Sequence, residues 1–361
     1  MIEKNFIFHM PVSKKALSGS VAWRSPSNIA LIKYWGKTDP QIPKNASISF
    51  TLSNCHSNTR LDFSPKATPS DQYDFQVFLD GKKAPDFEPK IAAFFKRVDT
   101  YLPFLKTYSF DIKTENSFPH SSGIASSASG MSALSLCLMS LQKLIDPSIS
   151  EEDFFKKASF LARLGSGSAA RSLTGPLVVW GEHPDIHGSS DLYGTAFTNL
   201  VHANFRDYQD TILLVDKGVK QVSSTIGHKL MLGHPFAKAR FEQAQNNLSR
   251  MVEILKSGNL EDFIDVVEKE ALSLHAMMMT SDPYFVLMKP NTLEIIEKIW
   301  AFRRSSGSHI CFTLDAGANV HVLYPLKDKD LVEAFIASDL APFCENNQFI
   351  QDQVGMGASQ L

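Results

Sequence analysis

The chain has 361 residues, with 36 lysines and arginines against 38 aspartates and glutamates, which gives a formal net charge of −2. A composition of 43% hydrophobic and 20% charged residues is typical of globular proteins and excludes a disordered, collagen-like or coiled-coil chain. The balanced charge also argues against a nucleic-acid partner, because nucleic-acid binding relies on many cationic contacts with phosphates.

The first part of the chain reads as strands followed by helices. β-Branched and aromatic residues predict strands over 21–24, 29–34, 47–52, 73–79 and 108–114. Apolar residues at intervals of three and four predict an amphipathic helix over 126–145. Ser150, with Asp153 three residues later, predicts the start of a second helix that ends at Gly165.

The second part contains further strands and longer helices. Strands are predicted over 177–180, 211–215, 309–314 and 320–324, and helices over 236–256, 260–278 and 292–304. Residues 183–194 are rich in turn-forming residues and predict an exposed loop, while Asn291 and Glu294 stand in capping-box positions. This succession predicts an α+β protein of two halves, 1–206 and 207–361.

The cysteines and the apolar segments indicate a cellular compartment. No two cysteines have the spacing of a zinc or redox motif, so reduced and buried thiols are expected at Cys55, Cys137, Cys311 and Cys344. Residues 1–15 lack the apolar core of a signal peptide, and no run of consecutive apolar residues is long enough to predict a membrane helix. We therefore expect a cytoplasmic protein with no membrane partner.

Two nucleotide-binding signatures are incomplete. Gly36-Lys37-Thr38 resembles the end of a P-loop, but Leu31 stands where that motif needs a glycine. Residues 165–170 match a relaxed dinucleotide fingerprint, yet they end a predicted helix and precede a strand, which is the reverse of the required order. Neither a P-loop nor nicotinamide binding is expected.

Residues 119–130 are a run of small residues that leads directly into the helix at 126–145. Small residues let backbone N–H groups approach an anion, and a helix N-terminus adds unpaired amides and a positive dipole end. A phosphate chain is one interpretation of this segment. Close packing of the helix against a neighbouring element is the other, and the segment alone does not choose between them.

Lys33 lies in a strand-like, mostly apolar stretch over 28–37. A lysine in such surroundings needs a partner if it is buried, although an edge strand or a snorkelling side chain would also explain it.

Residues 165–172 place Arg171 in a turn rich in glycine and serine. A guanidinium among hydroxyls suits a phosphate or a carboxylate, and a serine-capped loop is the structural alternative.

Asp315 ends an apolar strand, just before the turn at 316–319. Aspartate in this position is commonly a turn former. A carboxylate at a strand end is also a suitable general base if the other segments converge on it.

Together, and in this order, these segments resemble the diphosphomevalonate decarboxylases, a branch of the GHMP small-molecule kinase superfamily. The matching blocks are 28–37 with 43–49, 116–130, 165–172, 222–225 and 313–319. The Lys-Tyr-Trp-Gly-Lys run at 33–37 is specific to the decarboxylase branch.

The resemblance implies a two-domain GHMP-kinase-like α+β fold. Its N-terminal domain would contain a left-handed β-α-β unit, as in the second domain of a small-subunit ribosomal protein, and its C-terminal domain would be ferredoxin-like. The active site would lie in the cleft between the domains. The resemblance also implies a homodimer.

The implied activity is ATP-dependent decarboxylation of (R)-mevalonate 5-diphosphate to isopentenyl diphosphate in isoprenoid biosynthesis, with release of ADP, phosphate and CO₂. ATP would phosphorylate the 3-hydroxyl, and loss of that phosphate would draw electrons from the bond to the carboxylate. By matched position, Asp315 would accept or orient the hydroxyl proton, Lys33 would counter charge near it, and Arg171 would hold the substrate carboxylate or diphosphate.

The resemblance also implies two sets of binding residues. The substrate-binding residues would be Asn28, Tyr34, Lys37, Ser166, Ser168, Arg171, Ser223 and Ser224. The nucleotide-binding residues would be Asn116, Gly123, Ala125, Ser126, Ser127 and Ser129. Ser127 would also help to place Mg²⁺ with the ATP.

Three alternatives remain open from the sequence. The chain could be a relative that decarboxylates mevalonate 5-phosphate, or a kinase that phosphorylates the 3-hydroxyl and stops. A catalytically silent binding protein with the same fold is the third, although such a protein would be expected to lose a buried catalytic charge first. His275, beside a run of methionines, is interpreted as a packing residue.

Overall fold

A computed structural model describes residues 2–10, 17–68, 70–119, 124, 126–216, 218 and 224–361. The strands are β1 Gly19–Ile32, β2 Lys37–Thr38, β3 Ile42–Pro43, β4 Ser47–Pro65, β5 Asp74–Leu79, β6 Lys82–Lys83, β7 Tyr108–Asn116, β8 Leu177–Trp180, β9 Thr195–Ala196, β10 Gln209–Leu213, β11 Cys311–Leu314, β12 Val320–Tyr324, β13 Phe349–Gln353 and β14 Ser359–Gln360. The helices are α1 Glu88–Val98, α2 Ser126–Ile145, α3 Glu151–Gly165, α4 Ser224–Lys229, α5 Ala237–Ser257, α6 Leu260–Met279, α7 Pro290–Ser306 and α8 Lys329–Phe335.

The larger sheet is built around two long antiparallel strands, β1 and β4. Its order is β14-β1-β4-β7-β5-β6, and β8 and β9 extend it beside the first residues of β4. The prediction ended β4 at residue 52, but the strand continues to Pro65. Alternate residues stay buried along this extension, and two of them, Ser57 and Thr59, are polar, so hydrophobic alternation does not reveal the strand.

Helices α2 and α3 pack beside this sheet, and their apolar side chains form one buried core with those of the sheet. The predicted bounds of α2 are confirmed, and the side chain of Ser150 accepts a hydrogen bond from the backbone N–H of Asp153, as predicted for the start of α3. Strands β5 and β7 are parallel neighbours, and α1 lies in the connection between them. α2 is the one described helix long and apolar enough to cross a membrane, but 83% of its apolar window is buried, as in a core helix.

The smaller sheet is antiparallel, with the order β11-β12-β10-β13. The capping box predicted at Asn291 and Glu294 is wrong. α7 begins earlier, with Pro290 at its first position, and Thr292 accepts a hydrogen bond from the backbone N–H of Lys289. Proline's fixed φ angle favours that earlier start.

The two sheets are tied together near the C-terminus. β14 pairs with β1, and Val354, which directly follows β13, bridges to Leu52 in β4. The predicted α+β class is confirmed, and all four cysteines are free and buried, as expected. The loop over 183–194 contains no helix or strand, but it is not fully exposed, since Ile186 is 4% exposed and packs into the core.

Candidate active site

The site centres on an ion pair between residues at the ends of two strands. β1 ends at Ile32 and β11 ends at Leu314, so Lys33 and Asp315 are the first residues beyond each strand. Nζ of Lys33 lies 2.9 Å from Oδ1 of Asp315. The Lys33 side chain is 2% exposed and that of Asp315 is 29% exposed. A snorkelling lysine is therefore excluded, and the pair faces an opening.

The environment of Lys33 disfavours the protonated, charged form of its side chain. Burial lowers the pKa of Lys33, and the nearby Arg171 acts in the same direction, while the carboxylates of Asp315 and Glu270 oppose the shift. The ammonium group therefore depends on its acidic partners. Such a group can stabilise developing negative charge or exchange a proton with a bound reactant.

The main chain of Lys33 is held by buried polar groups from several elements. Oε2 of Glu270, on α6, accepts the backbone N–H of Lys33 at 2.8 Å. Oε1 of the same carboxylate accepts hydrogen bonds from Arg240 at 2.9 Å and Asn247 at 2.7 Å, both on α5. Asn45 donates to the Lys33 carbonyl at 3.0 Å. These contacts leave little freedom at the end of β1.

α6 also holds the backbone of Asp315. Nε2 of His275 lies 3.1 Å from the Asp315 carbonyl oxygen, so this nitrogen is the donor. Burial lowers the pKa of His275 to about 4, which leaves the ring neutral at physiological pH. The prediction that His275 is a packing residue was incomplete, because the buried ring also makes a directional contact beside the site.

Arg171 lies at the end of a 3-10 turn, Gly167–Arg171, next to this pair. Its Nη1 donates to Ser47 Oγ at 2.5 Å, and its Nε donates to Asn28 Oδ1 at 3.4 Å. The guanidinium carbon lies 5.9 Å from the ring centre of Tyr34 and 5.8 Å from that of Trp180. Burial lowers the pKa of Arg171 to about 10, so the group keeps its positive charge at neutral pH.

Three other predicted substrate residues lie on β1 or at the turn that contains Arg171: Asn28, Ser166 and Ser168. Asn28 donates to Ser172 Oγ at 2.7 Å and to the carbonyl of Ser168 at 3.2 Å, which fixes the serine-rich turn against β1. The neighbouring Gly167 must be a glycine, since a Cβ there would lie 2.6 Å from the Tyr34 hydroxyl. Ser166 Oγ lies 3.3 Å from Ser127 Oγ at the start of α2.

Lys37 points toward a cavity of about 830 Å³ next to this turn. Its Nζ donates to Gln41 Oε1 at 2.6 Å, and burial, aided by Arg97, lowers the pKa of Lys37 to about 8. We call this space the cationic cavity because the described residues in its walls include five basic side chains and a single carboxylate, Asp39. The basic side chains are Lys37, Lys44, Lys90, Arg97 and Lys229.

A second cavity, of about 190 Å³, lies beside the start of α2. Its polar lining is Asn116, Ser126, Ser127, Thr59, Thr114 and Lys90, and its apolar lining is Val77, Leu79, Phe87, Ile91, Ile112, Met131 and Leu134. A Cβ built on Gly130 meets no atom within 4 Å, so α2 presents open space here. This combination suits a flat apolar base next to hydroxyl groups and helix amides that face phosphates.

Ser129 does not line this cavity. Its side chain is fully buried under the start of α2, and its hydroxyl lies 2.7 Å from Ser57 Oγ. Of the other predicted binding residues, Gly123, Ala125 and Ser223 lie outside the described residues. Ser224 begins α4, and its side chain lies outside the described part of the chain.

The donor set near α2 fits a magnesium ion that is bound together with a nucleotide. Mg²⁺ prefers oxygen ligands and is commonly held by substrate phosphates with few protein groups. The hydroxyls of Ser126 and Ser127 offer such oxygens. Within the described ranges, no group of three or more His, Cys, Asp or Glu side chains could hold a metal ion alone.

Comparison with known proteins decides the family. Two family models match, described as a diphosphomevalonate decarboxylase-like N-terminal domain over residues 25–191 and a mevalonate 5-diphosphate decarboxylase C-terminal domain over residues 211–359. A diphosphomevalonate decarboxylase from Gibberella zeae is 31% identical over 326 residues, which cover 85% of this chain and 81% of that protein. The chain belongs to the diphosphomevalonate decarboxylase family.

Solved structures of this family confirm the fold. Mevalonate diphosphate decarboxylase from Staphylococcus aureus aligns with a TM-score of 0.80 and 27% identity over 96% of this chain and 98% of that one. A structure described as MDDEF in complex with MVAPP, AMPPCP and magnesium aligns with a TM-score of 0.80 and 26% identity over 96% and 99%. The predicted resemblance and the two-domain GHMP-like fold are therefore confirmed.

Several residues around this decarboxylase-family site were not predicted. The burial of Glu270 could have been predicted from the sequence, because this residue continues the apolar stripe of α6 that contains Phe263 and Val267. A charge on such a stripe indicates a buried partner, here Arg240. His228, on α4, lines the cationic cavity, and the sequence pattern gives no signal for it.

Proposed function

We propose that this chain catalyses the ATP-dependent decarboxylation of (R)-mevalonate 5-diphosphate to isopentenyl diphosphate, with release of ADP, phosphate and CO₂. The observation that carries the proposal is the Lys33–Asp315 ion pair beside Arg171, in a chain of the diphosphomevalonate decarboxylase family. The structure described as MDDEF holds MVAPP, AMPPCP and magnesium, which supports the same reactants for this chain.

Asp315 is the group that receives or orients the proton of the 3-hydroxyl. The hydroxyl oxygen then attacks the γ-phosphorus of ATP, and ADP leaves with the electrons of the broken P–O bond. The C3–O bond breaks next, and phosphate departs with that electron pair. The electrons of the C1–C2 bond form the new double bond between C2 and C3, and CO₂ is released. Lys33 counters the charge that builds near Asp315.

Arg171 holds the anionic substrate. Its guanidinium is already positioned by Ser47 and Asn28, so little side-chain freedom remains to be lost when an anion binds. Tyr34, Lys37, Ser166 and Ser168 contribute to binding of the diphosphate, as do Ser223 and Ser224. Two features that suit a diphosphate anion support this assignment: the serine-rich turn that contacts Asn28, and the positive charge of the cationic cavity.

The nucleotide binds at the start of α2. Asn116 and the apolar walls of the second cavity receive the base, while Ser126 and Ser127 face the phosphates. The hydroxyl of Ser127 would also offer an oxygen ligand for Mg²⁺. When bound, the ion would supply positive charge next to the phosphates.

The two related activities are not favoured. A kinase that stops after phosphorylation, or a decarboxylase that prefers mevalonate 5-phosphate, would also use Asp315 and Lys33. The curated relatives from Gibberella zeae and Bos taurus are both described as diphosphomevalonate decarboxylases, which favours the diphosphate substrate. The size and charge of the cationic cavity agree with the longer anion.

One assay separates these activities. The protein is incubated with ATP, Mg²⁺ and, in parallel, mevalonate, its 5-phosphate or its 5-diphosphate, and both ADP and CO₂ are measured. The proposal expects equal amounts of both products from the diphosphate alone. ADP without CO₂ would identify a kinase, and preference for the monophosphate would show that the cationic cavity binds a shorter anion.

We also propose a division into domains near residue 206, a homodimer and a cytoplasmic location. The segment between β9 and β10 supports the boundary, since every strand of the larger sheet except β14 precedes this segment in the chain. Free, buried cysteines agree with a reducing compartment. Light scattering during size-exclusion chromatography tests the dimer, which predicts a mass twice that of one chain.

A further inference from the structure

His228 occupies an unusual place between the reaction centre and the cationic cavity. Its ring packs on the rings of Tyr34 and Trp35, with centroid distances of 4.4 Å and 4.5 Å. α4 approaches Trp35 closely only because residue 227 is a glycine: a Cβ there would lie 2.4 Å from the Trp35 ring. The fold therefore brings the imidazole into a narrow slot with a defined orientation.

One backbone contact fixes the proton on the ring. The N–H of Gly36 donates to Nδ1 of His228 at 2.9 Å, so Nδ1 must be an acceptor. In a neutral imidazole the other nitrogen, Nε2, then carries the hydrogen. Burial, with the charges of Lys37 and Arg171, holds the pKa of His228 well below its usual range, so the ring is neutral.

The N–H of Nε2 has no hydrogen-bond acceptor within the described part of the protein. The 6% of His228 that stays exposed lets a ligand in the cavity reach this donor. A donor that no described protein group uses is available to a ligand bound in the cavity. The residue lines the cationic cavity next to Lys37 and Lys229, so that ligand would be an anion.

We propose that Nε2–H of His228 donates a hydrogen bond to the diphosphate group of the substrate. This inference rests on the proposed function and assigns a further binding residue to the same site. Residues 33–37 then connect the two ends of the substrate: Lys33 faces the reacting end, Tyr34 packs on His228, and Lys37 enters the cavity where the diphosphate binds. A neutral donor adds a directional contact without adding further charge.

Two substitutions separate the role of Nε2 from that of Nδ1. In His228→Asn, the amide oxygen can still accept the Gly36 N–H, but no atom reaches the position of Nε2. In His228→Gln, the longer amide places an N–H donor near that position. The matched control is His234→Asn, because Nε2 of His234 lies 3.1 Å from the Met277 carbonyl and this histidine does not line the cavity.

The readouts are the KM for mevalonate 5-diphosphate, the KM for ATP, and the dissociation constant of inorganic pyrophosphate measured by calorimetry. A lost hydrogen bond to a charged group predicts a rise of about tenfold or more in the first and third quantities for His228→Asn. The KM for ATP and the kcat should stay unchanged. His228→Gln should recover most of the loss, and His234→Asn should leave pyrophosphate binding as in the wild type.

Unchanged pyrophosphate binding in a folded His228→Asn variant would overturn the inference, and so would an equal rise in both KM values. Pyrophosphate binding does not require turnover. If the wild-type protein released no CO₂ at all, the proposed function would fail, while the calorimetric comparison would still decide the role of His228.

Discussion

Lys33 and Asp315 are 282 positions apart in the sequence, and their side chains meet at 2.9 Å. The same helix, α6, contacts both of them: Glu270 accepts the backbone N–H of Lys33, and His275 contacts the carbonyl oxygen of Asp315. The reaction centre is therefore assembled only when the two sheets and α6 are packed together.

Lys33→Met should abolish most of the turnover without unfolding the protein. Methionine keeps an unbranched apolar stem, while the partially exposed Asp315 can be solvated after the ammonium is lost. Loss of a positioned charge at the reacting atoms predicts a fall in kcat of about 100-fold or more, measured by CO₂ release. The control is Lys113→Met, which removes a surface ion pair with Asp62 and should leave kcat unchanged. A wild-type kcat in Lys33→Met would contradict the assigned role.

Substrate affinity should depend on the protonation of Lys37. Because the pKa of Lys37 is lowered to about 8, its positive charge is present at neutral pH and is lost as the pH rises through that value. We expect kcat/KM for mevalonate 5-diphosphate to fall above about pH 8, since this parameter reports groups of the free enzyme. Lys37→Arg should remove that decline, because arginine stays charged. An identical pH profile in both proteins would argue against Lys37 as a diphosphate ligand.

Glu270→Gln should destabilise the fold much more than a surface substitution of the same kind. Glutamine keeps the shape but leaves the buried guanidinium of Arg240 without its anionic partner, and breaking a buried pair costs about 3–5 kcal/mol. The matched control is Glu152→Gln, which breaks an exposed pair with Lys156 worth about 0.3–0.5 kcal/mol. Urea midpoints measure the difference. Equal shifts of the urea midpoint in both variants would show that the buried Arg240–Glu270 pair does not stabilise the fold more than an exposed pair does.

Local patterns predicted the parts of this fold that depend on near neighbours in sequence. The bounds of α2 follow from its apolar periodicity, and the start of α3 follows from the cap at Ser150. The need of Lys33 for a partner follows from its apolar surroundings, and Asp315 was placed correctly at a strand end. The pairing of these two residues came only from the family resemblance, because no local pattern relates positions so far apart.

Long-range contacts account for what was missed. β4 extends beyond its predicted end because its buried face carries Ser57 and Thr59, which pair with β7 rather than repeating a hydrophobic pattern. Ser129 belongs to the same region: its hydroxyl turns toward Ser57 and away from the cavity at α2. His228 gives no signal at all, since its role depends on where α4 packs against Trp35.

The role of Asp315 is tested by comparing the wild-type protein with Asp315→Asn in an assay of ATP-dependent CO₂ release from mevalonate 5-diphosphate. The substitution keeps the shape of the side chain and removes the base, so release should fall by about 100-fold or more while ATP binding is retained. Turnover of Asp315→Asn within about tenfold of the wild type would contradict the central role of the Lys33–Asp315 pair, since a positioned base contributes more than that.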